Sequence, residues 1–349
     1  MIKVKIAIVI TLVLIFGSRG FCEIVVISSM KGYSHIYQEQ TQFFSDILLE
    51  VYGGNKYGGG LVLSPQSHGA LSNISVNVEK VEFFVNVLGL FKVTYWYGNK
   101  EHLGYVSSFQ TRFYQLDRDL DLRGWHSIDG TGIGFDIPLL QEALSVSPYF
   151  YRNSRGDDGA GSVGLKIVGR YRDVMLSVFA GASENVFRAG AELRTFFRHL
   201  NAGIVVGIDR LPFTNFSINV ENIYALVEER LNFLSADGSW GFEQIVTFLI
   251  KPSFCKGVQR RQSVSDIDVR LLVGLSLFRN LLIGTEGTLG LYGLLLPVTQ
   301  VGFSSEVGCF IGFEENNILI KIQPMFLVFN TTTNSMPPFR VSVLGELRF

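Results

Sequence analysis

Residues able to do catalysis or bind metal are few in this chain and poorly spaced for it. Asp117, Asp119, Asp121 and Asp129 alternate like the ligands of a calcium loop, but Leu122 stands where an EF-hand turn needs glycine and Ile128 where it needs a bidentate Glu. A solvated loop accounts for them better. Gly130-Thr-Gly-Ile-Gly134 lacks the G-x-G-x-x-G spacing of a phosphate-cradling loop. His35, His68, His102, His126 and His199 are scattered without metal-ligand spacing. There is no G-x-S-x-G elbow and no assembly of a serine or cysteine triad. The expectation is a protein without enzymatic activity, metal or cofactor.

What remains is paired charge. Arg188, Glu192, Arg194 and Arg198 are separated by even intervals, as are Asp268 and Arg270. Even spacing puts side chains on one face of a β-strand. With Glu306 and Lys321, these residues are the candidate ligand-contacting set. Guanidinium groups held in a row attract carboxylates and other anions, whereas charges of both signs facing one another across an enclosed space neutralise each other and stiffen it. The second role is favoured for any single residue.

The elements that carry these charges alternate with period two. Val163, Leu165, Ile167 and Tyr171 alternate with Gly164, Lys166, Val168 and Arg170. Phe187, Ala189, Ala191, Leu193 and Phe197 oppose Arg188, Gly190, Glu192, Arg194, Phe196 and Arg198. Ile267 to Leu277 repeats the pattern, and 301–313 and 318–329 follow it. The polar phases are small or charged rather than core-like. If the apolar phase faces lipid, then Glu286, Arg340, Glu346 and Arg348 also face inward.

Composition fits such an arrangement. Of the 349 residues only 17% are charged and 13% are aromatic, against about 25% charge in ordinary soluble proteins. Mean hydropathy is positive, yet beyond the amino end no apolar run is long enough for a membrane-spanning helix. The net charge of −1 offers no basic excess for nucleic acid. Lys3 and Lys5 precede an apolar stretch ending at Phe16, then Gly17, Ser18 and Gly20, which reads as a secretory signal over 1–22. A lipidation site at Cys22 is the competitor, disfavoured by the bulky Phe21 before it. Cys255 and Cys309 do not make a disulfide framework, and Cys309 sits on an apolar phase.

The chain ends Phe339-Arg-Val-Ser-Val-Leu-Gly-Glu-Leu-Arg-Phe349, with Phe349, Leu347, Val343, Val341 and Phe339 in one phase. A strand ending on a terminal aromatic resembles the closing strand of bacterial outer-membrane β-barrels. That resemblance implies an outer-membrane location, contact with outer-membrane lipid, and a role for Phe349 and Leu347 in recognition by the barrel assembly machinery. It also implies short periplasmic turns alternating with longer external loops. Counted back from Phe349, Glu314–Asn317, Arg279-Asn280, His199–Asn201 and Arg172-Asp173 fall on the short side. Segments 330–338, 291–299, 253–265 and 153–162 fall on the long side. Between 216 and 250, Ile223, Leu226, Val227, Arg230, Leu231 and Leu234 suit a helix capped by Asn222. A strand to Phe233 with a hairpin at Ala236-Asp237-Gly238-Ser239 preserves the alternation and is preferred.

The first half is less regular. Asn73–Glu79, Glu82–Tyr97 and Gly104–Leu116 read as strands, with Gly98–Leu103 as a turn and Asp117–Gly130 as a loop. Thr131–Ile137 and Leu144–Arg152 are weaker strands. The fold class is therefore all-β, an antiparallel transmembrane β-barrel over 72–349 with about 14 strands, range about 12–16. Segment 23–71 is expected to be a hatch, with a short helix over Gln42–Tyr52 from the spacing of Phe43, Phe44, Ile47, Leu48 and Val51. Ser64-Pro65-Gln66-Ser67 before Asn73 is similar to the Asn-Pro-Ala-Gly-like hatch segment of the FadL-like family, though only the proline matches strictly. That resemblance implies passive uptake of hydrophobic or amphipathic small molecules through a plugged lumen. A general diffusion porin and a surface adhesin or structural outer-membrane protein are the alternatives.

Overall fold

A computed structural model describes residues 24–36, 41–53, 56–68, 74–103, 126–153 apart from 142, 161–182, 186–214, 218, 222–250, 267–292 apart from 279, 302–330 apart from 317, and 339–348. The expected signal over 1–22, Cys22, the expected strand Gly104–Leu116, the loop 253–265 and Phe349 lie outside them.

All the regular elements among the described residues are β. They are β1 (Ile24–Ile36), β2 (Thr41–Gly53), β3 (Tyr57–His68), β4 (Ile74–Val87), β5 (Phe91–Leu103) and β6 (His126–Leu139). The series continues with β7 (Leu144–Asn153), β8 (Gly161–Tyr171), β9 (Val174–Ala182), β10 (Val186–Phe196), β11 (Leu200–Pro212) and β12 (Ile223–Leu234). It ends with β13 (Trp240–Ile250), β14 (Ile267–Leu277), β15 (Leu281–Tyr292), β16 (Gly302–Glu315), β17 (Ile318–Asn330) and β18 (Phe339–Arg348). Each strand pairs antiparallel with its neighbours in sequence, and β1 also pairs with β18, Tyr33 opposite Leu344. Every strand thus has two partners and the ladder has no free edge. Eight connections at one end, which we term the turn end, span only two to five residues. Those at the other, loop end are mostly longer.

The structure corrects the reading of the amino-terminal third. The expected helix Gln42–Tyr52 lies within β2, whose register runs Phe43 to Ser34 and Val51 to Val26 across β1. Ser64 and Pro65 lie in β3, opposite Asn77 and Val76 of β4. No helical hatch occurs among the described residues: 24–68 supplies three wall strands instead. The stretch Glu82–Tyr97 is not one strand but a hairpin turning at Leu88, Gly89 and Leu90, where Leu88 and Gly89 both have positive φ. Gly98–Leu103 is then part of β5 rather than a turn, and residues 126–130 of the expected loop belong to β6. These changes raise the count from about 14 to eighteen. In the second half the ambiguous segment is strand β12, and its hairpin to β13 turns over 235–239 as preferred. Asp237 accepts hydrogen bonds from the Ser239 N–H and hydroxyl, and Gly238 takes a positive φ.

Burial is inverted relative to a soluble protein. Leu165, Val178, Leu193, Ile204, Val227, Leu271, Val307, Ile311 and Ile320 are exposed. Their alternates include buried Ser177, Glu192, Arg194, Glu228, Arg230, Glu243, Arg270 and Lys321. A soluble sandwich buries its apolar phase. Here the apolar phase forms the outer surface over most of the sheet, far beyond the few hundred Å² of contiguous apolar patch that soluble monomers tolerate.

Candidate functional site

The inward face divides into an aromatic sector on β5–β9 and a charged belt on β10–β17. In the aromatic sector, large rings lie over glycines on the next strand. Trp96 is opposite Gly132, Tyr149 is opposite both Gly134 and Gly164, and Phe179 is opposite Gly190. Tyr149 meets Trp96 edge-on at 6.4 Å between ring centroids and Tyr151 at 6.0 Å. A glycine leaves the space over the neighbouring strand that a flat ring fills. The wall curls inward here, since β5 comes within 8 Å, Cα to Cα, of its non-neighbours β9 and β10. Arg188 Nη1 donates to Tyr151 Oη at 3.3 Å and ties β10 to β7.

The belt is a chain of opposite charges. Glu192 and Arg194 are ion-paired and buried on β10. Arg194 is opposite Gly203 of β11, and Gly203 is opposite Glu228 of β12. Strands one removed are about 9.6 Å apart, so the bare Gly203 opens a path over β11 between Arg194 and Glu228. Glu228 is flanked by Arg194 and Arg230, and its Oε2 accepts no hydrogen bond from the described residues. Arg230 is ion-paired with Glu243 of β13. Arg270 of β14 is opposite Thr247, and Asp268 precedes it on the same face. On β17 the Gln323 amide donates to Glu286 Oε2 of β15 at 2.7 Å across β16, where Gly308 is opposite Glu286 on one side and Met325 on the other. Lys321 is 1% exposed, with its ammonium 3.9 Å from the Phe310 ring centroid. At the other side of the interior Lys80 pairs with Glu82 at 2.9 Å and Lys92 with Asp136 at 3.5 Å.

Seven of the eight expected inward charges are on the inward phase: Arg188, Glu192, Arg194, Asp268, Arg270, Glu306 and Lys321. Arg198 is not. β10 ends at Phe196, so Arg198 falls in the turn at 197–199 and is exposed. Sequence reasoning missed Glu228, Arg230 and Glu243, which complete the belt. Their signal was present in the even spacing of Glu228 and Arg230, but competing helical spacing hid which face they occupied. Leu347 is in β18, while Phe349 lies outside the described residues. Cys309 is exposed on the outward face, as its apolar phase implied.

Among the described residues no group of His, Cys, Asp and Glu could hold a metal ion. No helix among them is long and apolar enough to cross a membrane, which leaves open crossing by strands.

No protein-family model matches the chain, and no curated protein sequence matches it. Solved structures do. Pseudomonas aeruginosa OccK2 (OpdF) in complex with glucuronate superposes with a TM-score of 0.57 at 10% identity, covering 95% of this chain and 99% of that one. Pseudomonas aeruginosa OccD3 (OpdP) gives 0.54 at 9% identity, covering 95% and 92%. A mutant of the Rh. blastica porin gives 0.52 at 9% identity, covering 94% and 100%. At these identities the likeness is one of fold: the chain has the antiparallel β-barrel fold of porins. The FadL-like reading finds no support, because the segment expected to be its hatch is wall and these structural neighbours are porins.

Proposed function

We propose that the chain is an outer-membrane channel of the general diffusion type, through which small polar and charged solutes pass. One observation carries the reading: the ring of strands is apolar outside and ion-paired inside. An apolar outer band suits hydrocarbon, and a charged inner face suits water and polar solutes. Hydrophobic cargo would instead need an apolar path, and the charged belt interrupts one. The porin-like neighbours point the same way.

The wall charges are balanced. Leaving out the first and last two residues of each strand, the described inward positions carry seven cations: Lys80, Lys166, Arg188, Arg194, Arg230, Arg270 and Lys321. They carry seven anions: Glu82, Asp136, Glu192, Glu228, Glu243, Glu286 and Glu306. Equal numbers predict weak ion selectivity. Membership of the outer membrane further implies export, contact with outer-membrane lipid, and insertion by the barrel assembly machinery reading the end of β18. The test is reconstitution in planar bilayers. Stable conductance steps with little preference between potassium and chloride are expected, and a folded, inserted protein that conducts no ions would overturn the proposal.

A further inference from the structure

The outward face of β4–β17 is apolar almost throughout. Away from strand ends, one charge stands among its described outward positions: Glu229, seventh of the twelve residues of β12 and exposed. Its cross-strand partners are Ala202 of β11 and Val246 of β13. Gln244 of β13, opposite Leu231, is its diagonal neighbour on the same face. No hydrogen bond or ion pair reaches Glu229 from the described residues. A carboxylate and an amide thus sit side by side at mid-strand, in a band that is otherwise Val, Leu, Ile and Phe.

If this face meets lipid, as the channel reading holds, an isolated carboxylate there is unfavourable, most of all at mid-depth. Polar groups in that setting are satisfied by other protein. We propose that this patch is the contact surface for a second copy of the chain, related by a two-fold axis. Glu229 of each copy accepts a hydrogen bond from the Gln244 amide of the other. A two-fold contact requires one patch to complement itself, residue i meeting j and j meeting i. An acceptor adjacent to a donor meets that requirement, whereas the surrounding Val, Leu and Phe positions carry no directional group. Ala202, with Ala225 four residues before Glu229 on β12, keeps the surface low enough for close approach.

The test is the mass of the full-length protein in lipid nanodiscs and in detergent, by light scattering across a dilution series. The native chain is expected to be dimeric. Glu229→Leu or Gln244→Leu is expected to raise the dissociation constant by about tenfold, and the double substitution by more. Leucine is what the rest of the band carries, so the variants should still insert, which unchanged conductance per barrel checks. Glu229→Gln keeps the hydrogen bond and must keep the dimer. A native protein that stays monomeric, a dimer indifferent to the double substitution, or a different protein seated on the patch would each overturn the proposal. A native dimer that conducts no ions would instead count against the channel and leave the dimer contact standing.

Discussion

Gly164 and Tyr149 are a register pair on β8 and β7, and Tyr149 is only 2% exposed. If a β-carbon is added at Gly164, its three nearest atoms all belong to the Tyr149 side chain, two in the ring and one its hydroxyl oxygen. The ring cannot swing aside freely, because Trp96 and Tyr151 stand at 6.4 and 6.0 Å between centroids. Gly164→Ala should therefore cost about 1–3 kcal/mol by overpacking. Gly169 on the same strand is the control. The nearest atom to a β-carbon added there is the Leu176 carbonyl oxygen at 4.0 Å. Gly169→Ala should be neutral, or stabilising by about 0.4–1 kcal/mol through the stiffer unfolded chain. In a Tyr149→Leu background the obstructing ring end is gone, so Gly164→Ala should cost less by about 1–2 kcal/mol, a coupling of the size seen between touching residues. Urea unfolding in lipid vesicles, followed by tryptophan fluorescence, reads the native protein and all four variants. Equal costs for the two alanines, or a Gly164→Ala cost unchanged without the tyrosine, would falsify the claim that this glycine is bare because a ring lies over it.

Three other outcomes are expected. Glu243→Gln removes the ion-paired anion of the nearly buried Arg230, which keeps only Glu228 beside it, and should destabilise by about 2–4 kcal/mol, while Arg230→Met with Glu243→Leu, which also takes a cation from beside Glu228, should recover only part of that loss; urea midpoints compare them. Lys321→Met lowers the inward cations from seven to six against seven anions, so the reversal potential in a potassium chloride gradient should move toward the potassium value. At the exposed 235–239 hairpin, the Ser239 N–H, then the Ser235 and Ser239 hydroxyls, hold the Asp237 carboxyl down at about 2. A carboxyl lowered in the folded state stabilises above its unfolded value and loses that stabilisation as pH falls through the folded one. The stability difference between native protein and Asp237→Asn should be full at pH above 3.8 and fade toward pH 2, measured from urea midpoints.

The second half of the wall was legible because its strands are amphipathic and its turns polar. Arg172-Asp173, Asn280 and Glu314 to Asn316 punctuate alternating runs. Where either condition fails, the reading fails. β2 has apolar residues on both faces: Phe43, Ile47 and Val51 share one face and Phe44 and Leu48 the other. Each set is spaced by four, and four is both a helical interval and a multiple of the strand period. The same spacing therefore fits a helix and a strand with two apolar sides. At Leu88-Gly89-Leu90 the turn is apolar, and its positive φ falls on a leucine as well as a glycine, so no polar residue marked it. With nothing polar to interrupt it, the run has the pattern of one strand where there are two.

Which charges face inward was legible strand by strand, since phase is a local property. Which charges meet was not, because meeting depends on register between strands far apart in sequence. Arg194 and Glu228 approach only because β11 sets Gly203 between them. Gln323 reaches Glu286 across β16, where Gly308 lies between Glu286 and Met325. The aromatic sector uses the same device, with Gly132 under Trp96 and Gly164 under Tyr149. Glycine weakens a strand by entropy and by the lack of a packing side chain. On an inward phase that weakness is offset when the vacant position lets a neighbouring strand's side chain lie across it. Gly203 and Gly308 are thus part of the charged belt, although neither carries a charge. A β-carbon at Gly308 would collide with the Met325 side chain and the Pro324 carbonyl, and the Met325 sulfur accepts from the same Gln323 amide that donates to Glu286, so even alanine there should disturb that bond.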